Sequence, residues 1–238
     1  MMETLDTLAR HRGPRGEVVL RRRRETGGDV EELIVNGIFA MDSTDTWTER
    51  RLAEVALTGS RPRRVLVGGL GLGYTAAELL AADVEHLDVV EIEDCLVEWA
   101  YAGLTPTLAA VAADPRVALH TADVVAVLTG RQPPDGPWDA IVLDVDNGPD
   151  FLIHGTNAGL YSPASLAAAY DRLAAGGTMA IWCQGPAPDL LAALRRLSPS
   201  AQPHAFTRVR DGRTLEYVIY TVARGELAAA AVEQECGP

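Results

Sequence analysis

From residue 63 onwards, short apolar runs alternate with longer stretches in which apolar residues recur every three or four positions. The short runs are typical of strands buried on both faces, and the longer spacing is typical of amphipathic helices. The predicted strands are residues 65–67, 87–91, 117–121, 140–144 and 178–182. The predicted helices are residues 75–82, 94–101, 123–128, 162–174 and 188–197. This alternation predicts a parallel sheet with helices on both faces.

The chain before residue 61 has a different pattern. Two runs, residues 17–20 and 32–35, flank a glycine-rich turn and predict a β-hairpin, which residues 38–41 extend. A helix over residues 46–57 then ends at a turn that contains Gly and Pro. We therefore predict an N-terminal hairpin and helix (1–60) with a mobile start over residues 1–16.

A second hairpin is predicted at the other end, where residues 204–210 and 214–223 flank the turn Asp211-Gly212. Its last strand runs antiparallel to its neighbour. The prediction is thus an α/β protein of the class I methyltransferase, Rossmann-like fold: a mostly parallel seven-stranded sheet that ends in an antiparallel hairpin. This domain spans residues 61–224, and residues 225–238 are predicted to be a flexible tail.

Composition narrows the class of protein. There are 21 basic and 33 acidic residues, which give a net charge of −12. An acidic surface argues against binding to nucleic acid or to anionic membranes. Three separated cysteines and no apolar run of about 18 residues predict a soluble cytoplasmic protein without structural disulfides or zinc. The unpaired edge of the N-terminal hairpin favours a homodimer.

The candidate binding chemistry begins directly after the first strand of the main domain. Four glycines occur within six residues there: Gly68, Gly69, Gly71 and Gly73. Glycines allow a tight turn and a close approach of backbone N–H groups to a ligand, and the next helix directs its positive end to the same place. The stretch predicts a nucleotide site.

Two carboxylates follow the next strands. Glu91 ends the second strand about 20 residues after the glycines, where a carboxylate can accept both hydroxyls of an adenosine ribose. Asp123 follows the third strand and either accepts from an adenine amino group or caps the next helix, and both roles are compatible. Their neighbours Ile92 and Val124 complete the predicted cofactor site.

The acceptor site is predicted beyond the fourth strand, because ligands bind at the carboxyl ends of strands in open α/β sheets. Asp144 ends that strand, and Asp146 and His154 lie in the loop after it. Asp144, which also borders the cofactor site, is the first candidate for a base or an amine contact; Asp146 and His154 are further candidates.

These residues resemble the spermidine synthase family, the polyamine aminopropyltransferases, and its methyltransferase-fold relatives. The matching stretches are VGGLGLG (67–73), VVEIE (89–93), DPRV (114–117), AD (122–123), WDAIVLD (138–144), LYSP (160–163) and LAAGG (173–177). The N-terminal hairpin also resembles the small β domain of that family. The resemblance implies that S-adenosylmethionine (SAM), or its decarboxylated form, binds at the glycine turn, Glu91 and Asp123, with the acceptor near Asp144.

The chain departs from the family at the positions that serve the amine. Where the family carries an Asp that holds the amine end of decarboxylated SAM, this chain has Gly71. In the acceptor loop Asp144 is retained, but the second Asp of the family aligns with Asn147. A Tyr-His-Glu segment is replaced by WTER at residues 47–50. The nucleotide half is thus kept and the polyamine half is altered.

Four functions follow. The first is a SAM-dependent methyltransferase acting on a small molecule, an amine being one candidate, with Asp144 or His154 as base. The second is an aminopropyltransferase in which Asp144 and Asp146 hold a polyamine. A nicotinamide-dependent dehydrogenase fits the GxGxxA pattern at residues 71–76, but the terminal hairpin argues against it. A non-catalytic SAM-binding scaffold is the fourth.

Overall fold

The computed structural model describes residues 4–58, 63–145, 148–149, 155–210 and 212–225. The N-terminal piece is a four-stranded antiparallel sheet followed by a helix, with strand order β1-β2-β3-β4. Its elements are β1 (Thr4–Gly13), β2 (Gly16–Glu25), β3 (Gly28–Val35), β4 (Ile38–Asp42) and α1 (Trp47–Ala56). The predicted hairpin, its extension and the helix are confirmed.

The expectation of a mobile start over residues 1–16 was wrong, because most of that segment forms β1. Strand β1 pairs along its whole length with β2. Leu8 and Ala9 pack against the core, while Arg10 and Arg12 both contact Glu17 on the neighbouring strand. The many polar residues of β1 obscure its pattern because they form cross-strand ion pairs at a sheet edge.

The main sheet has seven strands in the order β10-β11-β9-β8-β5-β6-β7. Its strands are β5 (Arg64–Gly68), β6 (His86–Glu91), β7 (Val117–Thr121), β8 (Trp138–Leu143), β9 (Leu173–Cys183), β10 (Gln202–Arg210) and β11 (Arg213–Ala223). Strands β5 to β9 pair in parallel, and β11 is antiparallel to both of its neighbours. The predicted methyltransferase-like sheet with a terminal antiparallel hairpin is confirmed.

Helices cover the two faces of this sheet. They are α2 (Tyr74–Ala81), α3 (Asp94–Tyr101), α4 (Pro106–Ala113), α5 (Val124–Leu128), a 3₁₀ helix (Gly155–Tyr161), α6 (Pro163–Asp171) and α7 (Pro188–Leu197). Within the described ranges, no single helix is long and apolar enough to cross a membrane; α3 and α4 together reach that length only as a pair bent by 86°.

Alternate residues of β5 serve two separate cores. Val65 and Val67 belong to a core shared with the N-terminal sheet, α1 and the helices α2 to α4, whereas Leu66 belongs to a second core with α5 to α7. This alternation follows from the pleat, which directs successive side chains to opposite faces. The N-terminal sheet is therefore packed onto one face of the main domain.

Two differences from the predicted elements have local causes. Helix α4 lacks a strong polar face and was not predicted, although Thr105 caps it by accepting the N–H of Leu108 at 3.2 Å. Helix α6 ends at Asp171, not at residue 174, and the predicted helix-ending glycines lie within β9. A Cβ on Gly177 would lie 2.9 to 3.1 Å from three backbone oxygens, so glycine there permits close strand approach.

Candidate functional site

A cavity of about 280 Å³ opens where the carboxyl ends of β5, β6 and β8 meet the N-terminal sheet. Leu33 and Val35 of β3 line it, and so do Met41 of β4 and the glycine turn, which are in contact with each other. The N-terminal sheet is thus part of the site as well as an attachment to the main domain.

The glycine turn is held in left-handed backbone conformations that favour glycine. Gly69, Gly71 and Gly73 have φ values of +95°, +51° and +87°. A Cβ at Gly69 would lie 2.3 Å from the carbonyl oxygen of Asp144, so no other residue fits without a backbone shift. Of the four predicted glycines, Gly69 and Gly71 line the cavity, while Gly68 and Gly73 are buried beside it.

Glu91 fixes the shape of this turn from the end of β6. Its Oε2 accepts the N–H of Leu70 at 2.8 Å, and its Oε1 accepts the N–H of Glu93 at 2.9 Å. Burial raises the pKa of Glu91, and the two backbone N–H groups oppose that effect. Glu91 also lines the cavity, so its carboxylate joins two loops of the site; contact with a ribose stays a prediction.

The remaining predicted cofactor residues lie on the same side. Asp123 caps α5 by accepting the N–H of Val125 at 2.9 Å, so its helix-capping role is confirmed. Asp123, Ile92 and Val124 all line the cavity. The structure therefore brings these side chains together with Glu91, as the strand-end argument predicted, while contact between Asp123 and adenine stays a prediction.

Arg15, in the turn between β1 and β2, connects the N-terminal sheet to the loop after β6, which borders the cavity. Its Nε donates to the carboxylate of Glu93 at 3.0 Å, and its Nη2 donates to the carbonyl oxygen of Ile92. Asn36 accepts from the N–H of Glu17 and donates to the carbonyl oxygen of Arg15, which supports the turn. These contacts hold the sheet against the loop that follows β6.

At the other end of the cavity, two carboxylates approach each other from different elements. Asp144 follows β8, and the hydroxyl of Thr75 donates to its Oδ2 at 2.7 Å. Glu49 comes from α1, and the hydroxyl of Thr48 donates to its Oε2 at 2.6 Å. Both carboxylates line the cavity. Burial raises the pKa of Asp144; burial, followed by the charge of Asp144, raises that of Glu49 to about 7.

Glu49 was not among the predicted site residues, although the sequence contains a signal for it. It lies three, four and seven positions before Leu52, Ala53 and Ala56, which are buried residues of α1. A carboxylate within the apolar stripe of a helix is directed to the protein interior. Such a residue is a candidate for function because a charge there is costly unless it is used or paired.

The first turn of α1 is anchored by the terminal hairpin. Arg208 of β10 donates to both carboxylate oxygens of Asp45 at 2.9 and 3.1 Å, and its guanidinium lies 4.9 Å from the ring centroid of Trp47. Trp47 in turn meets Phe206 edge to face, with ring centroids 5.6 Å apart. These contacts fix the start of the helix that carries Glu49.

Aromatic side chains complete the acceptor end. Trp182 of β9 stacks on Tyr217 of β11, with ring centroids 5.9 Å apart and an interplanar angle of 29°, and both rings line the cavity. Tyr74 lines it from the start of α2. Aromatic faces beside carboxylates attract a cationic ligand.

The charged residues among those described as lining the cavity are all acidic. None of its residues is Arg or Lys. Its seven carboxylates are Asp42, Asp45, Glu49, Glu91, Glu93, Asp123 and Asp144. The candidates Asp146 and His154 lie outside the described residues, and they stay predictions.

No protein-family model matches the chain. Among curated proteins, the chain is 39% identical over 84 residues to putrescine N-methyltransferase 3 of Nicotiana tabacum, which is 35% of this chain and 21% of that protein. It is 33% identical over 129 residues to spermidine synthase of Solanum lycopersicum, which is 53% of this chain and 36% of that protein. The chain thus spans between 21% and 36% of the length of these two curated relatives.

Solved structures of spermidine synthases share the fold. One, in complex with the transition-state analogue AdoDATO, superimposes with a TM-score of 0.72 over 92% of this chain and 74% of that one, at 22% identity. Another, from Thermotoga maritima, has a TM-score of 0.72 over 92% and 73% of the two chains, at 20% identity. The chain therefore has the fold of these spermidine synthases, and its sequence is similar to spermidine synthases and putrescine N-methyltransferases over part of its length, as the motifs indicated.

Proposed function

We propose that the protein transfers a methyl group from SAM to a nitrogen of a small cationic amine. The observation that carries this proposal is the acidic cavity, in which Glu49 and Asp144 approach each other beside aromatic side chains and no described lining residue is basic. Such a cavity concentrates cations and disfavours anionic acceptors. A small amine fits the charge of this cavity.

An adenosyl cofactor is supported by the opposite end of the cavity. The glycine turn, Glu91 and Asp123 together offer a close backbone approach and two carboxylates for a nucleoside. The curated relatives that this chain resembles are, by their names, a putrescine N-methyltransferase and a spermidine synthase, and one structural neighbour binds AdoDATO. The names of the two relatives and the compound bound in the structural neighbour are all compatible with an adenosyl donor and an amine acceptor.

The chemistry assigns a role to the carboxylate pair. An amine enters as an ammonium ion and must lose a proton before its lone pair can attack the methyl carbon. That attack forms the N–C bond and breaks the C–S bond, whose electron pair returns to sulfur to give a thioether. The proton passes to Glu49 or Asp144. The pKa of Glu49 is raised to about 7, which suits proton transfer near neutral pH, and burial raises the pKa of Asp144 as well. Alignment of the two reactants supplies the rest.

Aminopropyl transfer is the second candidate, and a specific observation favours it. Ordinary SAM carries a carboxylate, and no described lining residue is an Arg or Lys that could pair with it. Decarboxylated SAM lacks that group and suits an acidic cavity. Against this, position 71 is a glycine and offers no carboxylate to hold the amine end of the decarboxylated cofactor.

Product analysis separates the two reactions. The purified protein is incubated with SAM or with decarboxylated SAM, together with putrescine or, as a neutral control, 1,4-butanediol. Methyl transfer predicts S-adenosylhomocysteine and N-methylputrescine from SAM and putrescine only. Formation of 5′-methylthioadenosine and spermidine from decarboxylated SAM would instead identify an aminopropyltransferase. Cofactor binding without either product would support the non-catalytic scaffold.

A further inference from the structure

The sulfonium centre of the proposed cofactor carries three substituents. If its adenosyl group bound beside Glu91 and Asp123 and its transferred group faced Glu49 and Asp144, the third substituent would lie near the place where β4 meets the glycine turn. That substituent ends in an ammonium group and, in SAM, also in a carboxylate. The inference below concerns that part of the cavity wall and rests on the proposed function.

Met41 forms this wall together with Gly71. Its sulfur lies 3.3 Å from the backbone nitrogen of Leu72 and accepts that N–H. A Cβ built on Gly71 would lie 2.7 Å from the same sulfur, which is closer than real Cβ contacts allow. The thioether of a residue from the N-terminal sheet thus fills the space that any side chain at position 71 would need. Both residues line the cavity.

We propose that Met41 is the residue that determines which amino-acid arm the cofactor carries. Its neutral thioether lies beside the position of a Cβ on residue 71, so the wall neither attracts an ammonium group strongly nor repels a carboxylate. A carboxylate at this place would favour decarboxylated SAM, because it would attract the ammonium group of either cofactor but repel the carboxylate that only SAM carries. Cofactor selection therefore resides in the N-terminal sheet as well as in the glycine turn.

The chain allows a test that avoids strain at Gly71. Met41→Glu places a carboxylate close to the position of the sulfur, since the two side chains have similar length, and its oxygen can still accept the N–H of Leu72. Met41→Gln is the matched neutral control. Binding of SAM, decarboxylated SAM and 5′-methylthioadenosine is measured by calorimetry for both variants and for the unmodified protein. The last ligand lacks the amino-acid arm and reports whether the adenosyl site is intact.

The expected result is a rise of at least tenfold in the ratio Kd(SAM)/Kd(decarboxylated SAM) for Met41→Glu relative to Met41→Gln. The affinity for 5′-methylthioadenosine should stay within about threefold of the unmodified protein in both variants. A difference of less than threefold between the ratios of the two variants would overturn the proposal.

A second route covers the case in which Met41→Glu loses the adenosyl site. Gly71→Asp alone should weaken all three ligands, because its side chain meets the sulfur of Met41. Gly71→Asp combined with Met41→Ala should restore 5′-methylthioadenosine binding and raise the same Kd ratio at least tenfold. If the double variant binds no better than Gly71→Asp, Met41 does not occupy that space in solution and the proposal fails.

Failure of the proposed function gives a different result. If the unmodified protein makes spermidine from decarboxylated SAM, the methyl-transfer proposal is wrong, yet the comparison of Met41→Glu with Met41→Gln still decides the role of Met41. If the unmodified protein binds none of the three nucleosides, both proposals are overturned.

Discussion

The carboxylate of Asp88 and the carboxylate pair of Glu49 and Asp144 lie in surroundings that shift their pKa values in opposite directions. Asp88, in the middle of β6, accepts from Arg64 at 2.9 Å, from Trp138 at 2.9 Å and from His120 at 3.0 Å. Burial alone would raise the pKa of Asp88, but these hydrogen bonds and the charge of Arg64 hold it well below its usual range. Glu49 and Asp144 have raised pKa values instead.

The pKa values differ because the carboxylates accept hydrogen bonds from different numbers and kinds of donor groups. The Asp88 side chain is only 2% exposed, yet it is compensated by one guanidinium and by aromatic N–H groups from neighbouring strands. The carboxylates of Glu49 and Asp144 each accept a hydrogen bond from one threonine hydroxyl, and both line the cavity. Removal of a fully paired carboxylate leaves its partners uncompensated and destabilises the fold, whereas an under-compensated pair is available to a ligand or a proton.

The largest effect is expected at Asp144. Asp144→Asn should lower the rate of the proposed methyl transfer by about a hundredfold or more, because general-base groups contribute on the order of 10²–10⁴. The free energy of unfolding should not fall, since a raised-pKa carboxylate is removed. Release of S-adenosylhomocysteine and urea denaturation measure the two quantities.

The control for Asp144→Asn is Asp135→Asn. Asp135 is 80% exposed and pairs with Arg172 outside the cavity, so its substitution should leave the rate unchanged. If Asp144→Asn kept most of the rate, Asp144 could not be the proton acceptor and the contrast with Asp88 would lose its functional meaning.

The next largest effect is a loss of stability at Asp88. Asp88→Asn should lower the free energy of unfolding by about 3 kcal/mol, because the loss of a buried charged partner leaves the others uncompensated. The folded pKa of Asp88 is depressed, so its stabilisation is present above the unfolded value of about 3.9 and is lost as the pH falls through the folded pKa. Urea denaturation from about pH 5 down to about pH 2 follows this loss in the unmodified protein.

Cofactor binding distinguishes the two groups in that experiment. Under conditions where the protein is folded, Asp88→Asn should keep the SAM affinity of the unmodified protein, since Asp88 does not line the described cavity. An unchanged free energy of unfolding in Asp88→Asn would show that the contacts of Asp88 with Arg64, His120 and Trp138 contribute no net stability.

The smallest effect, and the opposite pH dependence, is expected at Glu49. Its folded pKa of about 7 is raised above the ordinary value of 4.5. Its protonated form is thus favoured by folding, and the associated stability is complete below about pH 4.5 and declines as the pH rises through about 7. Glu49→Gln should therefore gain on the order of 2 kcal/mol over the unmodified protein at about pH 9 and nothing at about pH 4.

Glu49→Asp serves as the matched variant that keeps the charge. It should retain the decline in stability at high pH, while Glu49→Gln should remove it. Equal pH profiles for the unmodified protein and Glu49→Gln would mean that Glu49 titrates normally, and the comparison with Asp88 would then rest on Asp144 alone.

The parts of the structure that were predictable are those governed by local pattern. The apolar runs predicted the parallel strands, and the turn at residue 212 predicted the antiparallel end of the sheet, because periodicity and turn chemistry act over a few residues. Glu91, Asp123 and Asp144 gather at one cavity because carboxyl ends of parallel strands meet at one edge of a sheet.

The parts that were missed depend on contacts between distant segments. Met41 and Glu49 line the cavity only because the N-terminal sheet and α1 pack onto the main domain, and nothing local in the sequence specifies that docking. Strand β1 was missed because its partners for charge and hydrogen bonding lie on β2. The early start of β9 depends on Gly177 allowing close approach to carbonyl oxygens of β8.

One short stretch, from β4 through the first turn of α1, carries both Met41 and Glu49. Under the two proposals, this stretch selects the donor with Met41 and contributes Glu49 to the carboxylate pair at the acceptor end, while the nucleotide site stays on the main sheet. The preference for a methyl or aminopropyl donor and the preference for an amine acceptor would then both depend on this one stretch of the chain. Exchange of residues 38–50 between proteins of the same fold would test whether the two preferences change together.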